Sequence, residues 1–204
     1  VLLGVGTMTR GYVALVAIAL LITAIRSDAL AAARRVCLTA LATACGIAAV
    51  FAVVQHSALT AVYTGWWGAK ASYGSPWLLP QLVACNVPAC TTQQTESKLI
   101  SWIFNLRAVE LPVWTVTTLA ILGIVLALVL GRIFAREAYH APTWPQVAFV
   151  VVAMARMTGK AVPVQASLWL LPLAAAAGVR WRDHLIWAGT EIAHFIAIWL
   201  YIGA

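Results

Sequence analysis

Long uninterrupted stretches of apolar residues constrain this chain more than any other feature of its sequence. Hydrophobic residues make up 63% of the 204 residues and charged residues only 9%, whereas soluble domains carry about 25% charged residues. A stretch of about 20 apolar residues can cross the hydrocarbon core of a bilayer as a helix. The sequence therefore argues against a soluble domain and predicts an all-α, polytopic membrane helix bundle.

Apolar segments that could span a membrane predict a single transmembrane domain over residues 1–204 with about six spans. The candidates are Gly11–Ile25, Val36–Val54, Leu111–Gly131, Gln146–Met157, Ala166–Gly178 and Leu185–Ile202. The fourth and fifth are short and are separated by a segment containing Gly and Pro, which favours a hairpin bending near one membrane face. Val1–Met8 resembles the end of an apolar stretch already under way, so we expect the chain to be part of a longer protein.

The net charge of +7 favours membrane orientation and lipid contact over nucleic-acid binding, because the cations are not clustered as phosphate-backbone contacts require. Three basic connections fall on one side of the predicted bundle, which we expect to face the cytoplasm of a bacterium. They contain Arg26, Arg34 and Arg35; Arg132 and Arg136; and Arg180 and Arg182. The long connection 55–106 then lies on the extracytoplasmic side of the plasma membrane.

The long outer connection contains Cys85 and Cys90, separated by four residues. In an oxidising compartment this pair favours a disulfide, with a pair of free thiols as the alternative. The spacing alone is a weak signal for a metal, and with no His/Cys ligand cluster we predict no metal site. Within the same connection, Ala61–Ser72 with Trp66 and Trp67 is typical of a short helix lying in the membrane interface.

Ionisable residues at membrane depth are costly and are therefore candidates for function. Glu191 and His194 stand three residues apart on one face of the last span and could share a proton, or could be a buried polar pair that fixes helix packing. Arg156 and Lys160 lie at the outer bend of the short hairpin. They could hold the phosphate of a lipid substrate, or could extend to ordinary headgroups.

Several stretches resemble motifs of actinobacterial family 87 glycosyltransferases, which are multi-pass membrane mannosyltransferases of the GT-C type. Lys160–Leu173 is similar to the family's Lys-x-x-Ser-Pro-Gln-Tyr-x-Leu-Trp-Leu-x-Pro segment, and Ala71–Trp77 to its Ala-Asp-Trp-Gly-Ser-x-Trp segment. Thr9–Tyr12 looks like a Thr-Lys-x-Tyr that begins a family helix, and Arg180–Tyr201 looks like the C-terminal span. The order and spacing of these pieces match over nearly the whole chain, although each piece alone is unspecific.

The resemblance implies transfer of mannose, or a related sugar, from a polyprenyl-phosphate donor to a lipid-linked or cell-envelope glycan on the outer face. It implies that Lys160 and Gln165 line the donor site, with Arg10 as a further candidate. The expected partners are the lipid-linked donor, the glycan or glycolipid acceptor and membrane lipids, with no cofactor. The resemblance also implies a base, an Asp in a first outer loop that this sequence does not contain, so we name no catalytic base.

Departures from the family pattern leave other functions open. Pro163-Val164 replaces Ser-Pro, Ala166 replaces Tyr, Ser72 replaces the outer-loop Asp, and Arg10 replaces Lys. These changes are compatible with a non-catalytic membrane relative. The broken hairpin and the Glu191/His194 pair are compatible with a transporter or flippase of lipid-linked sugars.

Overall fold

The computed structural model describes residues 1–9, 11–27, 29–72, 74–79, 111–160 and 168–203. Within these ranges the chain forms helices and no strand, which confirms the predicted all-α class. The helices are α1 (Leu2–Thr9), α2 (Tyr12–Ala24), α3 (Leu30–Val54), α4 (His56–Gly68), α5 (Val113–Glu137), α6 (Trp144–Met157), α7 (Leu171–Ala177) and α8 (Trp181–Gly203). A 3-10 turn at Pro76–Leu78 follows α4. Arg10, Cys85, Cys90 and Gln165 lie outside the described residues, as does most of the connection 55–106.

Two helices, α3 and α5, are long and apolar enough to cross a membrane. Each contains 25 residues, and at about 1.5 Å per residue such a helix exceeds the roughly 30 Å of a hydrocarbon core. Little of either helix is buried by the rest of the chain, so neither is the enclosed core helix of a soluble domain.

Large apolar side chains on α3, α5 and α8 face outward, whereas the buried positions are mostly small. The exposed set includes Leu38, Leu41, Phe51, Leu122, Val125, Ile133, Ile186, Ile192 and Phe195. Soluble proteins usually place such residues inside. Small residues at helix contacts and large apolar residues outside are typical of helices that pack together in lipid.

A line of small residues on α5 lets α6 approach closely. Its members are all buried and stand three or four residues apart: Ala120, Gly123, Ala127, Gly131 and Ala135. A Cβ atom added at Gly131 would overlap the Cγ2 atom of Val151, and one added at Gly123 would overlap the side chain of Thr158. The two helices therefore run antiparallel with their backbones in near contact along most of α6.

Helix α2 packs along α6 and also contacts α5, and α2 and α6 together hold most of the buried core. Val16 and Ala19 of α2 meet Val147, Ala148 and Val151 of α6. Helix α2 runs antiparallel to α6, so the start of α2 lies beside the end of α6 and the end of α2 lies beside the start of α6. Thus Tyr12 and Arg156 lie at one end of this pair, and Arg26 and Trp144 lie at the other.

Local sequence explains where α6 and α7 begin and end. The backbone N–H of Thr143 donates to Oε1 of Gln146 at 2.9 Å, as in a capping box, and Pro145 in the first turn needs no hydrogen-bond acceptor there. Helix α7 ends at Gly178, whose φ of 70° is a conformation that glycine adopts without strain.

Five of the predicted spans each overlap one helix, with bounds that differ by up to six residues, but among the described residues only α3 and α5 are long and apolar enough to cross a membrane. The segment predicted as Ala166–Gly178 contains α7, which is only seven residues long and follows a 3-10 turn at 168–170. The helix predicted over Ala61–Ser72 instead starts at His56 and ends at Gly68. It begins there because α3 stops at Gln55, whose φ of −152° and ψ of 71° are not helical.

Candidate functional site

Lys160, two residues beyond the C-cap of α6, is buried within the protein. Only 1% of the residue is exposed. Its Nζ atom donates to the carbonyl oxygen of Trp67 at 3.0 Å and to Oγ1 of Thr117 at 2.6 Å. The same ammonium group lies 4.4 Å from the centroid of the Trp66 ring. Lys160 thus joins the end of α4, the start of α5 and the end of α6.

No carboxylate is among the described partners of this ammonium group. Its charge is balanced instead by a carbonyl dipole, a hydroxyl oxygen and the face of an indole ring, which attracts cations. Burial lowers the pKa of Lys160 below the ordinary value for lysine, because desolvation disfavours the charged form. The role predicted for Lys160 on a donor phosphate stays a prediction, and in this structure the ammonium group holds three helix ends together.

The segment after α4 is held against the segment after α6 by three hydrogen bonds. The backbone N–H of Ser72 donates to the carbonyl of Lys160 at 2.9 Å. Oγ of Ser75 donates to the carbonyl of Gly159 at 2.8 Å, and Nε1 of Trp77 donates to the carbonyl of Thr158 at 2.8 Å. We call this contact between 72–77 and 158–160 the Lys160 junction. It joins the outer-loop stretch Ala71–Trp77 to the beginning of the stretch Lys160–Leu173, which sequence analysis had treated as separate motifs.

Arg156, in the last turn of α6, stacks against an aromatic pair beside the junction. Its guanidinium carbon lies 5.0 Å from the centroid of the Trp169 ring. That ring stacks in turn on Tyr12 of α2, with centroids 5.3 Å apart and planes 13° from parallel. Thus residues from α2, from α6 and from the turn before α7 meet at one point, which we call the Arg156 cluster.

The guanidinium group of Arg156 has hydrogen-bonding capacity that the described residues do not use. Its Nε atom is buried and has no hydrogen-bond partner among them. Buried donors in proteins are nearly always paired, so an unpaired one marks a place where a ligand oxygen would be stabilised. A guanidinium group presents its donors in a planar fork that matches phosphate and carboxylate oxygens.

Glu191 on α8 is close enough to Arg156 for a favourable electrostatic interaction. The Glu191 side chain is half-buried, whereas His194, one turn further along α8, is exposed. No hydrogen bond between these two side chains is found in the described part of the chain. The intramembrane pair therefore stays a prediction, and Glu191 instead acts on Arg156 through its charge.

Arg156 and Lys160 are both predicted to be cations of one outer bend, but in the structure the surroundings of the two side chains differ. Lys160 is enclosed by protein, while Arg156 is half-buried against an aromatic ring. Sequence analysis did not identify Thr117, Ser75 or Trp169 as partners of the bend. Ser75 and Trp169 belong to stretches that resemble family motifs, which marks them as residues of interest. The spacing of these stretches does not indicate which atoms the two side chains contact.

Comparisons with known proteins identify no relative of this chain: no protein-family model, curated protein or solved structure matches it.

Proposed function

We propose that this chain is a multi-pass membrane protein that binds a polyprenyl-phosphate sugar at the Arg156 cluster. We further propose that it transfers the sugar, mannose or a related hexose, to a lipid-linked or cell-envelope glycan outside the membrane. The observation that carries the proposal is the buried Nε of Arg156, which has no hydrogen-bond partner among the residues that the structure describes. It lies beside an aromatic pair, at the ends of apolar helices where a lipid phosphate would lie. The sequence resemblance to family 87 glycosyltransferases supplies the reaction.

The chemistry of such a transfer favours a fixed cation at the phosphate. The acceptor hydroxyl oxygen forms a bond to the anomeric carbon while the bond from that carbon to the phosphate oxygen breaks. The hydroxyl proton passes to a base, and the polyprenyl phosphate leaves with the bonding electron pair. The phosphate gains negative charge as it leaves, so a guanidinium group beside it is worth more in the transition state than in the bound donor.

The Lys160 junction gives Arg156 a fixed position in this proposal. Thr158, Gly159 and Lys160 follow Arg156 directly, and their carbonyl groups accept the three hydrogen bonds of the junction. A cation held in place before the reaction need not reorganise during it, which is what makes such electrostatic stabilisation effective. We therefore assign Arg156 to the phosphate and Lys160 to positioning of the segment that carries Arg156.

The proposal is tested by following labelled mannose from polyprenyl-phosphomannose in membranes that contain the full-length protein, with empty-vector membranes as background. Arg156→Gln should lower the transfer rate about tenfold to a hundredfold, the equivalent of losing a charge-assisted hydrogen bond of roughly 1.5–3 kcal/mol. Arg156→Lys should recover part of the rate, since it restores charge but not the planar fork. Arg180→Gln, which removes an exposed arginine at the other end of the bundle, is the matched control and should leave the rate unchanged.

Absence of transfer by folded, membrane-inserted protein would contradict the transferase. Loss of transfer in Arg156→Gln with an unchanged kcat and a raised KM would contradict the transition-state role. An unchanged rate in Arg156→Gln would contradict the assignment of the phosphate to this cluster.

Translocation of the same lipid is the second candidate, and the electrostatic interaction between Glu191 and Arg156 favours it. A carboxylate that competes with a phosphate for one guanidinium group could couple its protonation to binding or release of the lipid. Translocation of polyprenyl-phosphomannose in proteoliposomes should then depend on an imposed proton gradient and should lose that dependence in Glu191→Gln. Translocation that ignores the gradient would count against this function.

A further inference from the structure

The end of the bundle far from the Arg156 cluster contains a cavity lined by arginines. Helix α6 is 14 residues long, which separates its two ends by about 20 Å. At the Arg26 end, a cavity of about 420 Å³ lies between the end of α2 and the last turns of α5. It is lined by Ile22, Ile25, Arg26, Arg132, Ala135 and Arg136.

The guanidinium groups of Arg132 and Arg136 are available to bind an anion in this cavity. They stand four residues apart, which places both side chains on one face of α5, and both are exposed. Within the described residues neither side chain forms a hydrogen bond or an ion pair, and the described lining contains no carboxylate. Two like charges at this spacing repel each other, so an anion between them would be stabilised by both.

Arg26 closes the cavity and fixes the distance between α2 and α5. Its Nη1 atom donates to the carbonyl oxygen of Ala135 at 2.6 Å and to that of Ala138 at 3.3 Å. These are carbonyl groups at the C-terminal end of α5, where the helix dipole favours a cation. The guanidinium group is therefore committed to the protein, and it adds a third positive charge beside Arg132 and Arg136.

A second, apolar cavity also has Arg26 and Ala135 in its lining. Its volume is about 510 Å³, and it reaches from the end of α2 to the starts of α3 and α6. Among the residues lining it are Leu20, Ala33, Val36, Pro142 and Trp144. A basic cavity and an apolar cavity that share Arg26 and Ala135 can contact both parts of an amphipathic molecule, its charged headgroup and its hydrocarbon chain.

We propose that this end of the bundle binds an anionic phospholipid of the inner leaflet, with its phosphate between Arg132 and Arg136 and an acyl chain along the apolar cavity. Basic pockets between membrane helices on the cytoplasmic side are suited to such headgroups. Free phosphate would use the arginines but not the apolar walls formed by Ile22 and Ile25. The proposal rests on α3 and α5 crossing a membrane with this end of the bundle toward the cytoplasm, as the basic connections predict, and it is independent of the transferase activity.

The test measures lipid retention by the purified full chain in mixed micelles, with phosphatidylglycerol or phosphatidylcholine at equal mole fraction, by native mass spectrometry. The wild-type protein should retain phosphatidylglycerol in preference to phosphatidylcholine. The variant R132Q/R136Q should lose that preference by about tenfold or more, the scale expected for two basic contacts with an anionic headgroup. The matched control R34Q/R35Q removes two exposed arginines from the start of α3, which is near the same membrane face but outside the basic cavity, and should retain the preference.

A second variant keeps the arginines and changes the apolar wall. Val36→Asn places a neutral polar group in the apolar cavity at a residue that is 43% exposed, and phosphatidylglycerol retention should fall. Equal retention by wild type and R132Q/R136Q would overturn the proposal, as would an equal loss in R34Q/R35Q. Full displacement of the lipid by an equal concentration of inorganic phosphate would show that the apolar cavity contributes nothing, and would also overturn it.

Discussion

Because α5 and α6 are in close contact, replacing a glycine by alanine should change the free energy of unfolding in a direction that depends on which glycine is replaced. In Gly131→Ala the added Cβ overlaps Cγ2 of Val151, which is fully buried. A β-branched side chain in a helix has one strongly preferred rotamer, so Val151 cannot turn away cheaply. The helices must separate instead, and overpacking of this kind costs about 1–3 kcal/mol.

The matched variant is Gly46→Ala on α3, where an added Cβ meets no atom within 4 Å. Alanine is favoured over glycine in a helix by about 1 kcal/mol, and this gain applies at both positions. Gly46→Ala should therefore raise the free energy of unfolding by up to about 1 kcal/mol. The free energy of unfolding of Gly131→Ala should be about 1–3 kcal/mol lower than that of Gly46→Ala. The gain in helix propensity is common to both variants, so only the cost of overpacking remains in the difference.

Equilibrium unfolding in mixed micelles of a mild detergent and SDS, followed by circular dichroism, measures both variants. The double variant Gly131→Ala/Val151→Ala removes the methyl group that the new Cβ overlaps, so it should be more stable than the sum of the two single changes predicts. Equal stabilisation by Gly131→Ala and Gly46→Ala would refute the close approach of α5 and α6. If the changes in the free energy of unfolding of the two single variants add up to that of the double variant, the destabilisation by Gly131→Ala does not come from overlap with Val151.

Two further predictions concern the Lys160 junction. Ser75→Ala removes the partly buried hydrogen bond to the carbonyl of Gly159 and should lower the free energy of unfolding by about 0.5–1.5 kcal/mol. Ser57→Ala, on an exposed face of α4, should change the free energy of unfolding little, and equal effects of the two variants would contradict the junction. The lowered pKa of Lys160 means that the unfolded chain binds more protons between that pKa and about 10.4, so stability should rise with pH in this alkaline window. Thermal unfolding of Lys160→Met should lack that rise, and an identical pH dependence in the two proteins would contradict the burial of the ammonium group.

Helix positions were largely predictable because an apolar run long enough to cross a membrane would have to be helical there. The predicted Gln146–Met157 and the observed α6 end at the same residue. The start was missed by two residues because the pattern was taken from apolar residues alone, whereas the cap at Thr143 and the proline at 145 also indicate a helix start. For α4 the difference is larger, since only the non-helical backbone of Gln55 separates it from α3, and nothing in the apolar pattern marks that break.

The partners of the candidate site residues were less predictable than the residues themselves. Arg156 and Lys160 are identifiable from the sequence because they lie at the predicted outer bend, on the side of the membrane where positive charge is not favoured. Which of them is enclosed depends on the carbonyl of Trp67 and the hydroxyl of Thr117, which are 93 and 43 residues away from Lys160 in sequence. The pattern of apolar and charged residues around Lys160 contains no information on contacts with residues so distant in the sequence. The small residues of α5 are different: their spacing of three or four residues is visible in the sequence and is typical of a close helix contact, but this contact was not among the predictions.

The small residues of α5 also connect helix packing to the proposed site. Gly131 meets the middle of α6, but Gly123 meets Thr158, whose carbonyl accepts the hydrogen bond from Trp77 in the Lys160 junction. A side chain at Gly123 would therefore displace the segment that follows Arg156, whereas one at Gly131 would separate the helices about two turns away from it. If Arg156 must be held in place for the phosphate, substitution at Gly123 should impair sugar transfer beyond its effect on stability, and substitution at Gly131 should impair it only through stability. Comparing transfer rates of Gly123→Ala and Gly131→Ala, each normalised to folded protein, separates a positioning role of the helix contact from a purely structural one; equal normalised rates would contradict the positioning role.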